Sequence, residues 1–455
     1  MDTVAKKFAE FITETDISSF PPEVRHQATR CLFDTAGAIL AGSRYSDSGQ
    51  YVCSYAEKRN EEKTSTIAGT LMQRSASTAA LANGVMAHAL ELDDGSKHAT
   101  YHPGSSIIPA VLALAERGPS SGKSILEAIV LGYEVSLRIG MAVNPSHYLR
   151  GFHPTGTVAA FGTTAAACKI LGLNKEQVCN SLGLAGSLAS GINQYEVDGS
   201  VVKHLHPGNA ARNGILAAEL AKEGFTGPEG VIEGRLGFCH CFADQYELEG
   251  ITENLGEDYA FLQIYFKPYC SCRYVHFAIE GTLNILHEYA LKADDIETVT
   301  VKTHKNGKQC SDIPEFQTPL HARLSIQYGI ASIIVRGSAG LLDYTEEKIK
   351  EPEVCELAKK MKIEVDPDIQ KVYPNPRSMI VEIKTKGGEI LSSRIDYAKG
   401  DPKNPISDEE LYYKFADITG QFVDASLREK IFEEAMGLEN WESAESFMSL
   451  LRIGK

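Results

Sequence analysis

Apolar residues recur at intervals of three and four from residue 1 to about residue 260, the spacing of helices that bury one face. This part holds stretches rich in alanine and glycine, such as GTVAAFGTTAAACKILGL at 156–173 and GLAGSLASGI at 183–192. Small residues at helical spacing let neighbouring helices approach closely. The pattern therefore predicts a large all-α helical domain over residues 1–262.

Alternation of apolar and polar residues replaces this spacing between about residues 265 and 400. ETVTVKTHK at 297–305 alternates with the period of a strand, and SMIVEIKTKGGEILSSRIDYA at 378–398 predicts a hairpin that turns at Gly387 and Gly388. Helical stretches at 274–290 and 322–337 separate these strands. The pattern predicts a smaller α+β domain over residues 263–400.

Helical spacing returns after the stretch KGDPKNPISDEEL, in which glycine and proline end the sheet. Ser407 and Glu410 have the spacing of a capping box, so a new helix is expected to begin there. We expect the tail to pack on the first domain. The predicted fold is thus mostly α, with a helical domain (1–262, completed by 401–455) into which the α+β domain is inserted.

Charge and cysteine content narrow the class of protein. The chain of 455 residues has 45 Lys and Arg against 60 Asp and Glu, a net charge of −15, which argues against nucleic acid or an anionic membrane as partner. No apolar run reaches the roughly 20 residues of a membrane span, and the N-terminal stretch lacks the features of a signal peptide. Ten irregularly spaced cysteines are typical of reduced thiols, so a cytoplasmic location is expected.

Two close cysteine pairs, Cys239 with Cys241 and Cys270 with Cys272, raise the question of a metal site. Neither pair has the two-residue gap of a zinc knuckle, and no further ligands follow at the spacing of a zinc ribbon. We therefore predict that the protein binds no metal.

Candidate chemistry is concentrated in HALELDDGSKHATYHPG at 88–104, which gathers three histidines, three carboxylates and a lysine. Four further polar motifs lie beside glycine or proline, where functional groups are often found. They carry His153 (FHPTGT), Lys203, His204 and His206 (VVKHLHPGNAA), Lys267, Cys272, Arg273 and His276 (FKPYCSCRYVH), and Tyr328 (SIQYG). Lys and Arg hold carboxylates, and His and Tyr transfer protons, so these motifs predict a polycarboxylate-binding pocket.

Five segments resemble, in order, signature segments of the MmgE/PrpD family: HALELDDG…HPG, FHPTGTVAAFGTTAAACKILGL, VVKHLHPGNAA, FKPYCSCRYVH and GDPKNPISDEEL. That family includes 2-methylcitrate dehydratase, cis-aconitate decarboxylase and iminodisuccinate epimerase. The resemblance, which runs from about residue 5 to 450, implies a helical domain made from both chain ends, an α+β lid, a homodimer, and no cofactor.

The resemblance also assigns roles to individual positions. It implies that the catalytic positions line an acid-binding pocket at the domain boundary, with His88 and the carboxylates of the first segment fixing its charge and geometry. The catalytic positions are His102, His153, Lys203, Lys267 and Tyr328. The substrate-binding positions are Glu91, Asp93, Asp94, His206, Cys272 and Arg273.

The first segment departs from the pattern of the better-known members. They have Asp-Phe-Asp-Asp-Thr where this chain has Glu91-Leu-Asp-Asp-Gly95, and His102 comes one residue later than expected after Asp94. A threonine hydroxyl is therefore missing at Gly95. This difference predicts a substrate other than that of the best-known members, and weak or absent decarboxylation of cis-aconitate.

The common chemistry of such a pocket is a carbanion next to a carboxylate. Lys203 and Lys267, with Arg273, would stabilise the enolate. His102 or His153 would serve as base, and Tyr328 would protonate either a leaving hydroxyl or the opposite face of the carbanion. The leading prediction is a cofactor-independent lyase on a di- or tricarboxylic acid, acting by dehydration or decarboxylation. The alternatives are an epimerase of iminodisuccinate or a related dicarboxylate, and a catalytically inactive carboxylate-binding homologue.

Overall fold

The computed structural model describes residues 2–454 and divides the chain into two compact units. The first unit contains the chain up to Tyr265 and the residues from Ser407 onward, and the second is Phe266–Ile406. The sequence pattern put the two boundaries after residues 262 and 400. Among residues 2–454, no helix combines the length and the apolar character that crossing a membrane requires.

Helices make up most of the first unit. α1 begins at Thr3, whose side chain accepts a hydrogen bond from the Lys6 amide, and α6 is capped by Ser121 in the same way. The helices before the second unit are α1 Val4–Glu14, α2 Pro22–Tyr45, α3 Asp47–Glu57, α4 Ala76–His88, α5 Gly104–Arg117, α6 Gly122–Val143, α7 Ser146–Leu149, α8 Pro154–Thr157, α9 Ala159–Ile170, α10 Lys175–Leu188, α11 Tyr195–Asp198, α12 Val202–Lys222 and α13 Phe238–Phe242.

The prediction that residues 1–262 are entirely helical is wrong in two respects. Short antiparallel ladders join β1 (Ser65–Thr66) to β2 (Gln73–Arg74) and β3 (Gly95–Ser96) to β4 (Ile264–Tyr265). Between α12 and β4 the chain is mostly turns, because five glycines and a proline between residues 224 and 237 interrupt any helix. The β3–β4 ladder holds the polar loop that follows α4.

Close packing of α4 against α12 positions most of the polar motifs of the first unit. A Cβ atom added to Gly84 would lie 2.7 Å from the Cα atom of Gly208, so the two helices touch along their glycines. α12 continues through His206, Pro207 and Gly208, although proline and glycine are adjacent there. The helix therefore runs through Pro207, so Lys203 and His206 extend from a helix instead of a loop.

The second unit is a four-stranded sheet with helices. The strand order is β6–β5–β7–β8, with β5 and β6 parallel and the other pairs antiparallel. Strand β5 and the β7–β8 hairpin turning at Gly388 (φ 90°) are confirmed. The elements are α14 Arg273–Tyr289, β5 Ile296–Thr303, α15 Lys305–Ser311, α16 Pro319–Leu324, α17 Ile326–Arg336, α18 Pro352–Ala358, β6 Met361–Val365, α19 Pro367–Val372, β7 Met379–Thr385 and β8 Ile390–Ile395.

The C-terminal part of the first unit is helical, with α20 Asp408–Thr419, α21 Ala425–Met436 and α22 Glu445–Leu450. The capping box of Ser407 and Glu410 is confirmed at the start of α20. Lys414 on α20 donates to Asp34 on α2 at 2.6 Å and to the Leu92 carbonyl at 2.7 Å. The tail of the chain therefore anchors the loop that follows α4.

Candidate active site

The loop between α4 and α5 folds back on the end of α4 and joins His88 to Asp93. The Nδ1 atom of His88 lies 2.7 Å from the Oδ2 atom of Asp93, and both side chains are fully buried. Because a carboxylate only accepts hydrogen bonds, the His88 proton lies on Nδ1. Sequence analysis gave His88 only a general part in the charge of this segment. The one signal that could have singled it out is an aspartate five residues after a histidine at a helix end.

His102, at the other end of the loop, is oriented by the main chain. Its Nδ1 atom donates to the Asp94 carbonyl at 2.6 Å and lies 3.8 Å from the Oδ2 atom of Asp93. The carbonyl fixes the proton on Nδ1, so the neutral ring carries its lone pair on Nε2. The His102 and His88 ring centroids are 5.2 Å apart. The predicted base is thus beside the His88–Asp93 pair.

Asp94 ties the loop to the helices below it. Its Oδ2 atom accepts from the Tyr133 hydroxyl at 2.7 Å, and its Oδ1 atom accepts from the Gly104 amide at 2.9 Å. Burial, with the nearby charges of Asp34 and Asp93, raises the pKa of Asp94 to about 7. Both carboxylate oxygens of Asp94 therefore have partners within the protein.

Glu91 and Lys203 form a buried ion pair. Glu91 has a positive φ of 56°, which is unusual for a residue with a side chain, and its carboxylate contacts the Lys203 ammonium group. The ammonium group also lies 5.9 Å from the centre of the Tyr195 ring. The cation predicted to hold a substrate carboxylate thus already contacts a carboxylate of the protein.

His153 and His206 pair with each other through their Nδ1 atoms, which are 2.8 Å apart. Burial lowers the pKa of His153 well below its usual value, and the nearby positive groups, His206 first, lower it further. Burial, with His88 and Lys203, lowers the pKa of His206 to about 4. Both rings are therefore neutral at physiological pH, and one donates to the other.

These residues form one buried polar cluster in the first unit. The His88 ring is 5.8 Å from that of His153 and 6.2 Å from that of His204, whose Nδ1 atom is hydrogen-bonded to Ser48 at 2.8 Å. Its members come from helices α4 and α12, from the loop after α4 and from the residue before α8. The members are His88, Glu91, Asp93, Asp94, His102, His153, Lys203, His204 and His206.

Tyr265 is a further candidate that sequence analysis missed. It pairs with Gly95 in the β3–β4 ladder, and a Cβ atom added to Gly95 would lie 2.5 Å from the Cζ atom of the Tyr265 ring. The Tyr265 and His102 rings meet edge to face, with centroids 6.5 Å apart. The space that a threonine would fill at position 95 thus contains the tyrosine ring and its hydroxyl. Residue 265 is 170 positions from Gly95, so no local pattern indicates this contact.

The residues predicted to act in the second unit differ in their burial and hydrogen bonds within that unit. Lys267 is fully buried. Arg273 donates through its two terminal nitrogens to the carbonyls of Ala398 and Lys399, both at 2.7 Å, so it holds this segment to α14. Cys272 occupies the N-cap position of α14 without a side-chain capping bond, and its Sγ atom lies 3.9 Å from the Ser311 hydroxyl.

Tyr328 is engaged within the second unit as well. Its hydroxyl donates to the Asp343 carbonyl and accepts from Arg336 at 3.2 Å. Burial raises the pKa of Tyr328. The phenol is therefore held in its neutral form, as a proton donor must be.

No group of three or more His, Cys, Asp or Glu side chains is arranged to hold a metal ion within residues 2–454. Because all ten cysteines are free thiols, the pairs Cys239–Cys241 and Cys270–Cys272 form no disulfides. The absence of a metal and of a cofactor stays a prediction.

Comparison with known proteins identifies the family. The MmgE/PrpD N-terminal domain matches residues 6–250, and the MmgE/PrpD C-terminal domain matches residues 269–438. Cis-aconitate decarboxylase of Aspergillus terreus is 26% identical over 471 residues, covering 98% of this chain and 96% of that protein. The Homo sapiens protein of the same name is 26% identical over 465 residues, covering 99% and 95%. 2-Methylcitrate dehydratase of Escherichia coli is 21% identical over 376 residues, covering 77% and 75%. The chain therefore belongs to the MmgE/PrpD family, as its five sequence segments predict.

Proposed function

We infer that this protein is a lyase that acts on a tricarboxylic acid through a carbanion stabilised by a neighbouring carboxylate. The observation that carries this proposal is the buried cluster in which a Lys203–Glu91 ion pair lies among neutral, hydrogen-bonded histidines. The printed names of the relatives, a decarboxylase and a dehydratase, support a lyase of this kind.

Lys203 supplies the cation that this chemistry needs. A proton next to a carboxylate is far too weakly acidic for an unaided histidine, so the developing enolate must be stabilised by a positive group fixed in advance. The buried Lys203 ammonium group, held by a rigid helix, is such a group.

The histidines supply proton transfer. In a dehydration, a histidine takes the proton and the electron pair stays on the substrate as an enolate. The β-hydroxyl then departs with its bonding electrons and takes a proton to become water. His102 and His88 both have their Nδ1 atom held by an acceptor, so either ring can offer its Nε2 atom to this proton. This geometry supports dehydration as the first candidate.

Decarboxylation is the second candidate, and the relatives favour it. The two decarboxylases are 26% identical to this chain, against 21% for the dehydratase. In this reaction the bond to a carboxylate carbon breaks, carbon dioxide leaves, and a histidine protonates the remaining carbanion. The hydroxyl of Tyr265 beside Gly95 weakens the argument that the missing threonine excludes this activity.

Several finer assignments stay predictions. They are a cytoplasmic homodimer without cofactor, a small carboxylic acid as the only partner, and substrate contacts by Lys267, Cys272, Arg273 and Tyr328.

The test is incubation of the full chain with 2-methylcitrate, citrate, cis-aconitate and iminodisuccinate, with chromatography of the products and measurement of released carbon dioxide. Dehydration gives an alkene that keeps all three carboxylates, and decarboxylation gives carbon dioxide and a dicarboxylate. Either result supports the proposal. Conversion of iminodisuccinate stereoisomers alone supports the epimerase, and no conversion of any acid supports an inactive homologue; both contradict the proposal.

A further inference from the structure

The His88–Asp93 pair has a feature that its hydrogen bond leaves unexplained. The Nδ1 atom of His88 donates to Asp93 at 2.7 Å, whereas its Nε2 atom is buried and has no hydrogen-bond partner among residues 2–454. Buried polar atoms of proteins nearly always have a partner. An unprotonated imidazole nitrogen of this kind is a site at which a proton can be received.

The position of His88 places this nitrogen within the polar cluster. Its ring centroid is 5.2 Å from that of His102, 5.8 Å from that of His153 and 6.2 Å from that of His204. His88 also contributes to the electrostatic environment that depresses the pKa values of His153 and His206. His88 is thus at the centre of the cluster.

The neighbouring imidazoles differ from His88 in their hydrogen bonds. His153 and His206 are buried and paired with each other, and their pKa values are depressed. His102 donates to a neutral carbonyl, with the Asp93 carboxylate farther away at 3.8 Å. A hydrogen bond to a carboxylate stabilises an imidazolium more strongly than one to a carbonyl. Among His88, His102, His153 and His206, His88 has its Nδ1 atom 2.7 Å from a carboxylate oxygen.

We propose that His88, oriented and charge-balanced by Asp93, is the proton-accepting residue of this site. This inference rests on the proposed lyase function. The bond between the substrate carbon and its proton breaks, the electron pair stays on the substrate as an enolate, and the proton moves to the His88 Nε2 atom. The imidazolium and the Asp93 carboxylate then form a buried ion pair. The proton leaves with the departing hydroxyl as water, which returns His88 to its neutral form.

Charged and titratable groups from every neighbouring element set the pH dependence of this step. The loop after α4 contributes acids and His102, and α12 contributes basic groups. Helices α2 and α20 contribute the Asp34–Lys414 ion pair. The groups are Asp34, Glu91, Asp93, Asp94, His102, His153, Lys203, His204, His206 and Lys414.

The experiment compares the wild-type chain with His88→Asn and Asp93→Asn, using the tricarboxylic acid that the wild type converts. The kcat and KM values are measured from pH 5 to 9, and thermal melts check folding. His304→Gln serves as the matched control, because His304 is also fully buried but lies in the second unit. It shows what loss of a buried imidazole does to stability alone.

We expect His88→Asn to lower kcat by about 10²–10⁴-fold with little change in KM, the usual contribution of a general base. Asp93→Asn should also lower kcat and move the acidic limb of the pH profile to lower pH, because the imidazolium loses its carboxylate. A purely structural role would not move this limb. A folded His88→Asn variant with wild-type kcat and pH profile overturns this inference alone. No turnover by the wild type overturns the proposed function and this inference with it.

Discussion

Lys414 offers the strongest test of how the C-terminal tail supports the site. Its ammonium group donates to Asp34 at 2.6 Å and to the Leu92 carbonyl at 2.7 Å, and only 5% of the Lys414 side chain and none of the Asp34 side chain is exposed. Replacing Lys414 with Met keeps most of the apolar stem but leaves the Asp34 carboxylate buried without its cation. We predict a loss of about 3–5 kcal/mol in the free energy of unfolding at pH 8, the usual cost of breaking a buried ion pair.

The size of this loss should depend on pH. Burial raises the pKa of Asp34, and Lys414 is the largest influence that lowers it, so Lys414→Met raises it further. A carboxyl group with a raised pKa in the folded state binds its proton more tightly there than in the unfolded chain. Its stabilising effect is therefore lost as pH rises from its usual value of about 4 through the folded-state pKa. As the pH falls and Asp34 takes up its proton, the cost should fall toward about 1–3 kcal/mol for the lost hydrogen bonds.

Urea denaturation at pH 5.5 and pH 8 measures this difference. Trp441, the single tryptophan of the chain, lies buried in the first unit and reports its unfolding by fluorescence. Lys175→Met is the matched control, since its ion pair with Glu10 is half exposed and its loss should cost no more than about 0.5 kcal/mol. Adding Asp34→Asn to Lys414→Met should restore part of the stability. A loss below about 1 kcal/mol at pH 8, or one equal at both pH values, would refute the reasoning.

Three further predictions concern the site itself. Lys203→Ala should abolish turnover and also lower the urea midpoint, because the buried Glu91 carboxylate loses the ammonium group that it contacts. Adding Glu91→Gln should restore the midpoint but not turnover, and recovery of both would contradict the role of Lys203. Gly95→Ala should lower the free energy of unfolding by about 1–3 kcal/mol, because the new Cβ atom meets the Tyr265 ring. Adding Tyr265→Phe should relieve only part of this loss. An unchanged urea midpoint in Gly95→Ala would show that the ring moves freely. Activity should survive dialysis against a chelator, and elemental analysis should find no stoichiometric zinc or iron; a metal bound through Cys270 or Cys272 would overturn that prediction.

Local features of the fold were predictable because each depends on neighbouring residues. Ser407 with Glu410, and the two glycines at 387 and 388, carry their signals within a few positions, and the structure has the capping box and the hairpin they predict. The helical spacing of the first 222 residues is equally local. The turns at 224–263 were wrongly predicted to be helical, because the helical pattern of the preceding residues was given more weight than the glycines.

Contacts between distant segments could not be predicted. Gly95 meets Tyr265 across a ladder that no sequence period indicates, and Lys414 reaches Leu92 from the far end of the chain. Arg273, whose contact with substrate stays a prediction, also donates from both terminal nitrogens to main-chain carbonyls that its own motif does not indicate. A residue type shows what a side chain can bind, and only the tertiary fold shows what it does bind.

The His88–Asp93 contact is less local in sequence than a capping box, but far more local than the contact between Gly95 and Tyr265. His88 and Asp93 are only five positions apart, but their contact depends on a loop that reverses direction at Glu91, which has a positive φ. Such a backbone is rare for a residue with a side chain, so sequence patterns give it little weight.

The most direct test of the central claim, a tricarboxylate lyase site around Lys203, is proton NMR in deuterated water. The wild type and the Lys203→Ala/Glu91→Gln variant are each incubated with 2-methylcitrate, citrate and cis-aconitate. The wild type should produce a new alkene signal or a deuterated decarboxylation product from at least one acid, and the folded variant should produce neither. Unchanged spectra of all three acids with the wild type, or equal rates in the two proteins, would contradict the claim.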